Sequence, residues 1–379
     1  MTAGDEIFVT GYLRSGTTLL EKILAQQEHV SMLSQPFPLL YPEAKRCFLR
    51  TLGVESDPNP LGHLFGERRY TNDELKRHLS QWSMSRELLV QLFARMSGYS
   101  GQWTRFDDRA LQAALDAVAG MRGFADVVST LLHLLATKGD ARWFGSKETT
   151  GEELIPFLLE SGFRCLLILR DPRDIVASLN HGEGRTIAGD VRPTLFTIRA
   201  WRKSVAFALA CEAREHFAWC RYEDLVAAPD TVMNALALKI DVDLRPTNFS
   251  HLRDASGAEW TGNSSYRPHT GVSDFSVGSF REVLPPEVAR FVEAACLPEL
   301  QLLGYQTSMT RDDAARELDA YREPYTITRR GMDADLATQA NAALEQERLD
   351  RLFDESETGI EPWFLFAEAR EKLRAHFRR

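Results

Sequence analysis

Apolar and polar positions alternate between two registers along the chain. Glu6-Ile7-Phe8-Val9-Thr10 is a short apolar run, Gly11 to Gly16 is rich in glycine and polar residues, and Leu19, Leu20, Ile23 and Leu24 then recur at helical spacing. That pattern predicts a strand, a tight turn and a helix. The same succession returns further on. Trp143-Phe144-Gly145 reads as a weak strand before a helix over Glu152–Ser161. Cys165-Leu166-Leu167-Ile168-Leu169 is a continuous apolar run, as expected of a parallel strand buried on both faces. A helix opens near Pro172, a longer one covers 195–215, and Phe217-Ala218-Trp219-Cys220 is another strand. Helices follow at 229–240 and 285–302, separated by a Gly/Ser/Thr/Asn-rich loop at 254–279. This repeated strand–helix order predicts an α/β fold with a parallel β-sheet flanked by helices on both faces.

Two stretches break the pattern. Residues 35–70 predict a long loop with a short helix near 42–51, and 71–138 a helical insertion with helices at 72–97, 107–119 and 122–138. Beyond Gly304 the chain turns charged and Ala/Glu/Arg-rich, with helices predicted at 311–323, 333–353 and 361–378. The expected organisation is one α/β domain over 1–307, with the helical insertion at about 71–138, and a C-terminal helical extension over 308–379. The extension is expected to pack on the core; a lid or a homodimer arm is the functional alternative.

Composition narrows the class. The chain has 379 residues, 44% hydrophobic and 26% charged, enough to bury a large core. Its net charge of −9 argues against general nucleic-acid binding and leaves anion binding to a local site. No apolar run approaches the ~20 residues of a membrane span, and the N-terminus lacks a basic signal region. Five cysteines without CxxC spacing read as reduced thiols, and a cytoplasmic protein is expected.

The chemistry is concentrated in two segments. Gly11-Tyr-Leu-Arg-Ser-Gly16-Thr17-Thr18 lies where a phosphate-binding loop belongs, between a strand and the N-terminus of a helix. Its G-x-x-x-x-G spacing is that of a P-loop, but Thr17 stands where a nucleoside-triphosphate loop needs Lys, and the cation is Arg14. Leu169-Arg170-Asp171-Pro172-Arg173-Asp174 follows the buried strand at its carboxyl end, where open α/β sheets bind ligands. Arg170 there, with Ser178 two helical turns on, makes a phosphate clamp. Arg173 and Asp174 are expected as surface charges.

Taken together these segments resemble the sulfotransferases that use 3′-phosphoadenosine-5′-phosphosulfate (PAPS). Arg14-Ser-Gly-Thr-Thr-Leu19 is similar to their 5′-phosphosulfate loop, and Arg170-Asp-Pro-Arg-Asp-Ile-Val-Ala-Ser178 to their 3′-phosphate motif. Arg221-Tyr222-Glu223-Asp224-Leu225 resembles the segment whose Tyr approaches adenine, and Lys147 a Lys that assists sulfuryl transfer. Ser276 to Arg281 weakly resembles a late cofactor loop. The resemblance runs through separated segments from about residue 5 to 305. It implies a P-loop-type fold and transfer of a sulfuryl group to a hydroxyl, less readily an amine, of a small-molecule, carbohydrate or lipid acceptor, with PAP as product and no metal. It also implies cofactor contacts at Arg14, Ser15, Gly16, Thr17, Thr18, Arg170, Ser178 and Tyr222, and catalytic roles for Arg14 and Lys147.

The general base departs from the family. Soluble members carry His two residues after the Lys, where this chain has Thr149; protein-tyrosine sulfotransferases use a Glu in the region that here holds Ser34-Gln35. Glu148, beside Lys147, is the first candidate, with His63 and His181 as competitors. A P-loop kinase or NTPase and a non-catalytic nucleotide-binding scaffold remain the alternatives in other classes. Thr17 in place of the P-loop Lys argues against the first.

Overall fold

The computed structural model describes residues 4–54, 70–96, 104–182, 191–254, 257–262, 268–325, 339–354, 359 and 363–377. Its centre is a five-stranded, all-parallel sheet of β1 (Glu6–Thr10), β2 (Val30–Ser34), β3 (Trp143–Lys147), β4 (Arg164–Leu169) and β5 (Phe217–Arg221), in the order β2-β3-β1-β4-β5. Strict alternation sends successive side chains to opposite faces. Ile7, Val9, Leu166 and Ile168 enter one core with Leu19, Leu20, Ile23 and Met32; Phe8, Cys165, Leu167 and Leu169 enter the other with Phe124, Leu131 and Trp201. Burial on both faces accounts for the unbroken apolar run of β4.

β1 is central, with β3 on one side and β4 on the other. The chain therefore leaves β1 in both directions across the sheet, and a crevice forms at the strand ends where the direction changes. The segments after β1, β3 and β4 lie side by side there. Val9 is in register with both Lys147 and Leu166.

β2 was not anticipated. Val30-Ser-Met-Leu-Ser34 offers only two strong apolar residues beside its Met, and the pairing with β3, Val30↔Trp143 to Ser34↔Lys147, supplies what the local pattern lacks. The predicted 72–97 helix is two helices, Asn72–Gln81 and Arg86–Met96, because the chain extends at Trp82. The ring of Trp82 turns inward against Phe124. The 285–302 helix is likewise split, into Pro286–Ala295 and Leu297–Leu302, with Pro298 in the first turn of the second.

Of the C-terminal helices, Arg311–Ala320 packs against Pro286–Ala295, Ala367–Phe377 packs against Thr194–Cys211 and Leu297–Leu302, and Gln339–Phe353 packs against both of these C-terminal helices. Leu349, Leu352 and Leu373 belong to the same core as the sheet. The junction also holds buried charge: Glu345 lies 2.7 Å from both Arg199 and Arg202. Among the described residues no helix is long and apolar enough to cross a membrane.

Candidate functional site

The Gly11–Gly16 turn is built by its own residues. The Ser15 amide and hydroxyl both donate to the Tyr12 carbonyl, at 3.1 and 2.6 Å. Ser15 is thereby engaged inside the turn, and Gly16, Thr17 and Thr18 follow it at the start of the Thr17–Ala25 helix, the positive end of the helix dipole. Arg14 adopts a left-handed backbone, φ 66°, an uncommon conformation for a residue other than glycine. Gly16, at φ 102°, is required twice over: a Cβ there would come within 2.6 Å of the Tyr222 ring.

Arg14 reaches across the site, and its Nε donates to Ser178 Oγ at 3.0 Å. Two segments 164 residues apart are joined by that bond. Arg170 stands between them, 6% exposed, its guanidinium donating to the carbonyls of Arg14 (3.3 Å) and Ser276 (2.7 Å) and lying 4.6 Å over the Tyr222 ring. Arg170 Nε is buried with no hydrogen-bond partner among the described residues. A buried guanidinium N–H lacking an acceptor suits an anionic ligand. The residues present thus fit a nucleotide bearing phosphate groups.

Arg173 and Asp174 are not surface charges. Both are buried. Arg173 bridges Asp171 and Glu293, while Asp174 accepts from the Gly278 and Phe280 amides at 2.7 and 2.9 Å and from Ser279 Oγ at 3.1 Å. Asp174 therefore ties the 276–281 loop to the Arg170 helix. Burial raises its carboxyl above the usual range, against the nearby Arg170 and the two amides. Tyr222 extends the tie, its hydroxyl 3.0 Å from Ser276 Oγ.

Lys147, at the end of β3, is buried and donates to Gln35 Oε1 at 3.0 Å. Gln35, in a left-handed backbone at φ 44°, returns its own amide to the Lys147 carbonyl at 2.8 Å. Burial lowers the Lys147 ammonium to about 8, opposed by Glu21 and Glu148 and assisted by Lys22 and Arg14. Strand alternation carries Glu148 to the other face. There its Oε1 accepts the Phe37 amide at 2.8 Å, and burial raises its carboxyl to about 8. Glu148 lines a narrow cleft with about 30 Å³ of open space, walled by Phe8, Phe37, Tyr41, Phe124 and Val128. Thr149 lines the same cleft.

His181 ends the Pro172–Asn180 helix and meets Tyr325 Oη at 2.8 Å. His63, with residues 55–69 of its loop, lies outside the described residues. The sequence pattern does not mark Gln35 as a partner of Lys147, nor Glu223 and Trp201 as partners of the Arg170–Asp171 peptide. Glu223 sits inside a quoted motif, so its position was visible; Trp201 lies in an ordinary apolar helix and carried no signal.

The sequence pattern of the Sulfotransferase family matches residues 6–246. No curated protein matches the chain. Among solved structures, the chain is similar to a sulfotransferase domain from the curacin biosynthetic pathway, at 18% identity over 80% of this chain and 98% of that one, TM-score 0.44. A sulfotransferase from Alicyclobacillus acidocaldarius is similar at 14% identity over 79% of this chain and 96% of its own, TM-score 0.34. A retinol dehydratase in complex with androsterone and inactive cofactor PAP is similar at 13% identity over 81% and 83%, TM-score 0.35.

Proposed function

The chain belongs to the sulfotransferase family, and from that premise we propose that it moves a sulfuryl group from PAPS to the hydroxyl of a small acceptor. One observation carries the reading: the Arg14–Ser178 hydrogen bond, with Arg170 lodged behind it, makes a single anion cradle of the two phosphate motifs. PAPS supplies the sulfuryl group and leaves as PAP. The amides of Gly16, Thr17 and Thr18 and the Arg14 side chain hold the 5′ end, and Arg170 with Ser178 holds the 3′-phosphate. Tyr222 floors the cradle beneath Arg170.

Arg14 and Lys147 stabilise the charge that develops on the bridging and transferring oxygens, where fixed cations in a water-poor site act most strongly. Gln35 holds the Lys147 ammonium in place without neutralising it. Glu148 takes the proton from the acceptor hydroxyl as the new oxygen–sulfur bond forms. Its raised pKa lies near working pH, where a general base is most effective. The aromatic walls of the Glu148 cleft favour an apolar alcohol or phenol over a sugar.

The test is a thermal-shift titration paired with a transfer assay. PAP should raise the melting temperature and ATP should not, and PAPS should be consumed with an apolar hydroxyl acceptor. Stabilisation by ATP with Mg²⁺ and none by PAP would replace this reading with a P-loop kinase.

A further inference from the structure

Beneath the Arg170 guanidinium lies an arrangement that anion binding alone does not require. The peptide joining Arg170 to Asp171 is gripped at both polar atoms. The indole Nε1 of Trp201, a fully buried residue, donates to the Arg170 carbonyl at 2.8 Å. The Asp171 amide donates to Glu223 Oε1 at 2.9 Å. The other Glu223 oxygen accepts from Tyr305 Oη at 3.1 Å. Three remote segments thus converge on one peptide plane: the Thr194–Cys211 helix through Trp201, the short Tyr222–Ala227 helix after β5 through Glu223, and the chain after the Leu297–Leu302 helix through Tyr305.

A helix or sheet ladder would ordinarily satisfy these groups. At this peptide β4 has ended and the Pro172–Asn180 helix has not begun, so side chains must do it. The grip also reaches Arg170 by a second route, since Glu223 follows Tyr222, whose ring lies under the guanidinium. With its backbone plane fixed and its planar group resting on a fixed ring, Arg170 has little freedom left to lose when an anion binds.

We propose that Trp201 and Glu223 are positioning residues for the 3′-phosphate: they clamp the Arg170–Asp171 peptide and so preorganise Arg170 for that phosphate, without touching the ligand themselves. The inference rests on the cofactor reading above. Its consequence is selective. Releasing the clamp penalises ligands that carry a 3′-phosphate and spares those held only by the Gly11–Gly16 turn, whereas general loosening of the fold weakens both alike.

The experiment measures dissociation constants of PAP and of adenosine 5′-monophosphate by calorimetry, and takes their ratio as the 3′-phosphate preference. Trp201→Phe keeps an aromatic ring and removes the donor; Glu223→Leu removes the acceptor. Each should lower the preference by about tenfold, the size of one lost buried hydrogen bond, with the 5′-monophosphate affinity changed less than about twofold. Glu223→Gln retains an acceptor oxygen for the Asp171 amide and should restore most of the preference. Tyr305→Phe, the mildest change, tests the same route should Glu223→Leu fold poorly, and should lower the preference by a smaller factor. A wild-type preference that survives Trp201→Phe and the Glu223 or Tyr305 change overturns the clamp and leaves the cofactor reading standing. Equal weakening of both ligands also overturns it. A wild-type protein with no 3′-phosphate preference overturns both.

Discussion

The Arg14–Arg170 cradle and the Glu148 cleft, proposed above to take cofactor and acceptor, are built on different principles. In the cradle nearly every contact is a directed polar bond: Arg14 to Ser178, Arg170 to two carbonyls, Asp174 to the 278–280 backbone. In the cleft the walls are Phe8, Phe37, Tyr41, Phe124 and Val128, and Glu148 is the carboxyl among them. The cradle is specified by the positions of a few atoms, the cleft by shape and area. On the proposed function, a ligand with fixed charges occupies the first and an apolar acceptor the second. Single substitutions should therefore act sharply in the cradle and by degrees in the cleft, with Glu148 as the exception.

The most severe break should come at the two residues that span the boundary. Lys147→Ala and Glu148→Gln should each lower kcat by about 10²-fold or more, as removal of an electrostatic stabiliser or a general base does, while PAP affinity changes little. Retention of more than about a tenth of wild-type kcat in Glu148→Gln would remove it from the base role.

Next in size, Arg170→Ala should weaken PAP by about 2–4 kcal/mol, the range for a desolvated charge-assisted contact. Asp174→Ala belongs with it. That change leaves the buried Phe280 amide, the part-buried Gly278 amide and a serine hydroxyl without their acceptor and should destabilise the fold by about 2–4 kcal/mol in denaturant titrations. Stability within about 0.5 kcal/mol of wild type would show that the 276–281 loop is held by something else.

The pH profile sharpens the comparison from the side of charge. Glu148 must be ionised to accept a proton, and burial raises its pKa, so activity should fall as pH drops through a value above the ordinary carboxylate range. Lys147 must be protonated, and burial lowers its pKa, so activity should fall again as pH rises through a value below the ordinary lysine range. The two limbs belong to the pair. The acid limb should disappear in Glu148→Gln measured under single-turnover conditions.

The smallest effects test the contrast itself. Ser178→Ala should cost PAP roughly 1 kcal/mol. Phe37→Leu and Val128→Ala should shift acceptor KM by a few-fold in directions that depend on acceptor size, with PAP affinity unmoved. Equal effects of the Phe37 change on PAP and acceptor would mean that the two regions are one site.

How far the site could be read from sequence differs along the same line. The Gly11–Thr18 turn and the Arg170–Ser178 segment were legible because each is local: a strand end, a turn and a helix start lie within about ten residues, so spacing encodes geometry. β2 was illegible because its stability comes from β3, more than a hundred residues away. Arg173 and Asp174 were misread as surface charges because sequence assigns charge to the outside by default. Here each has buried partners, Glu293 for Arg173 and the Gly278 and Phe280 amides for Asp174, that only the fold brings near.

By itself, then, the sequence determined the parallel α/β architecture, the glycine-rich turn between β1 and its helix, and the Arg170–Ser178 segment at the end of β4. All of these depend on periodicity and short-range spacing. Tertiary structure alone decided that Arg14 bonds Ser178, that Gln35 holds Lys147, that Glu148 turns toward an apolar cleft, and that Trp201 and Glu223 grip the peptide behind Arg170. Each of these depends on strand order and register. Moving a strand by one residue would send its side chains to the opposite face, and the pairings that fix register are made between segments far apart in the chain.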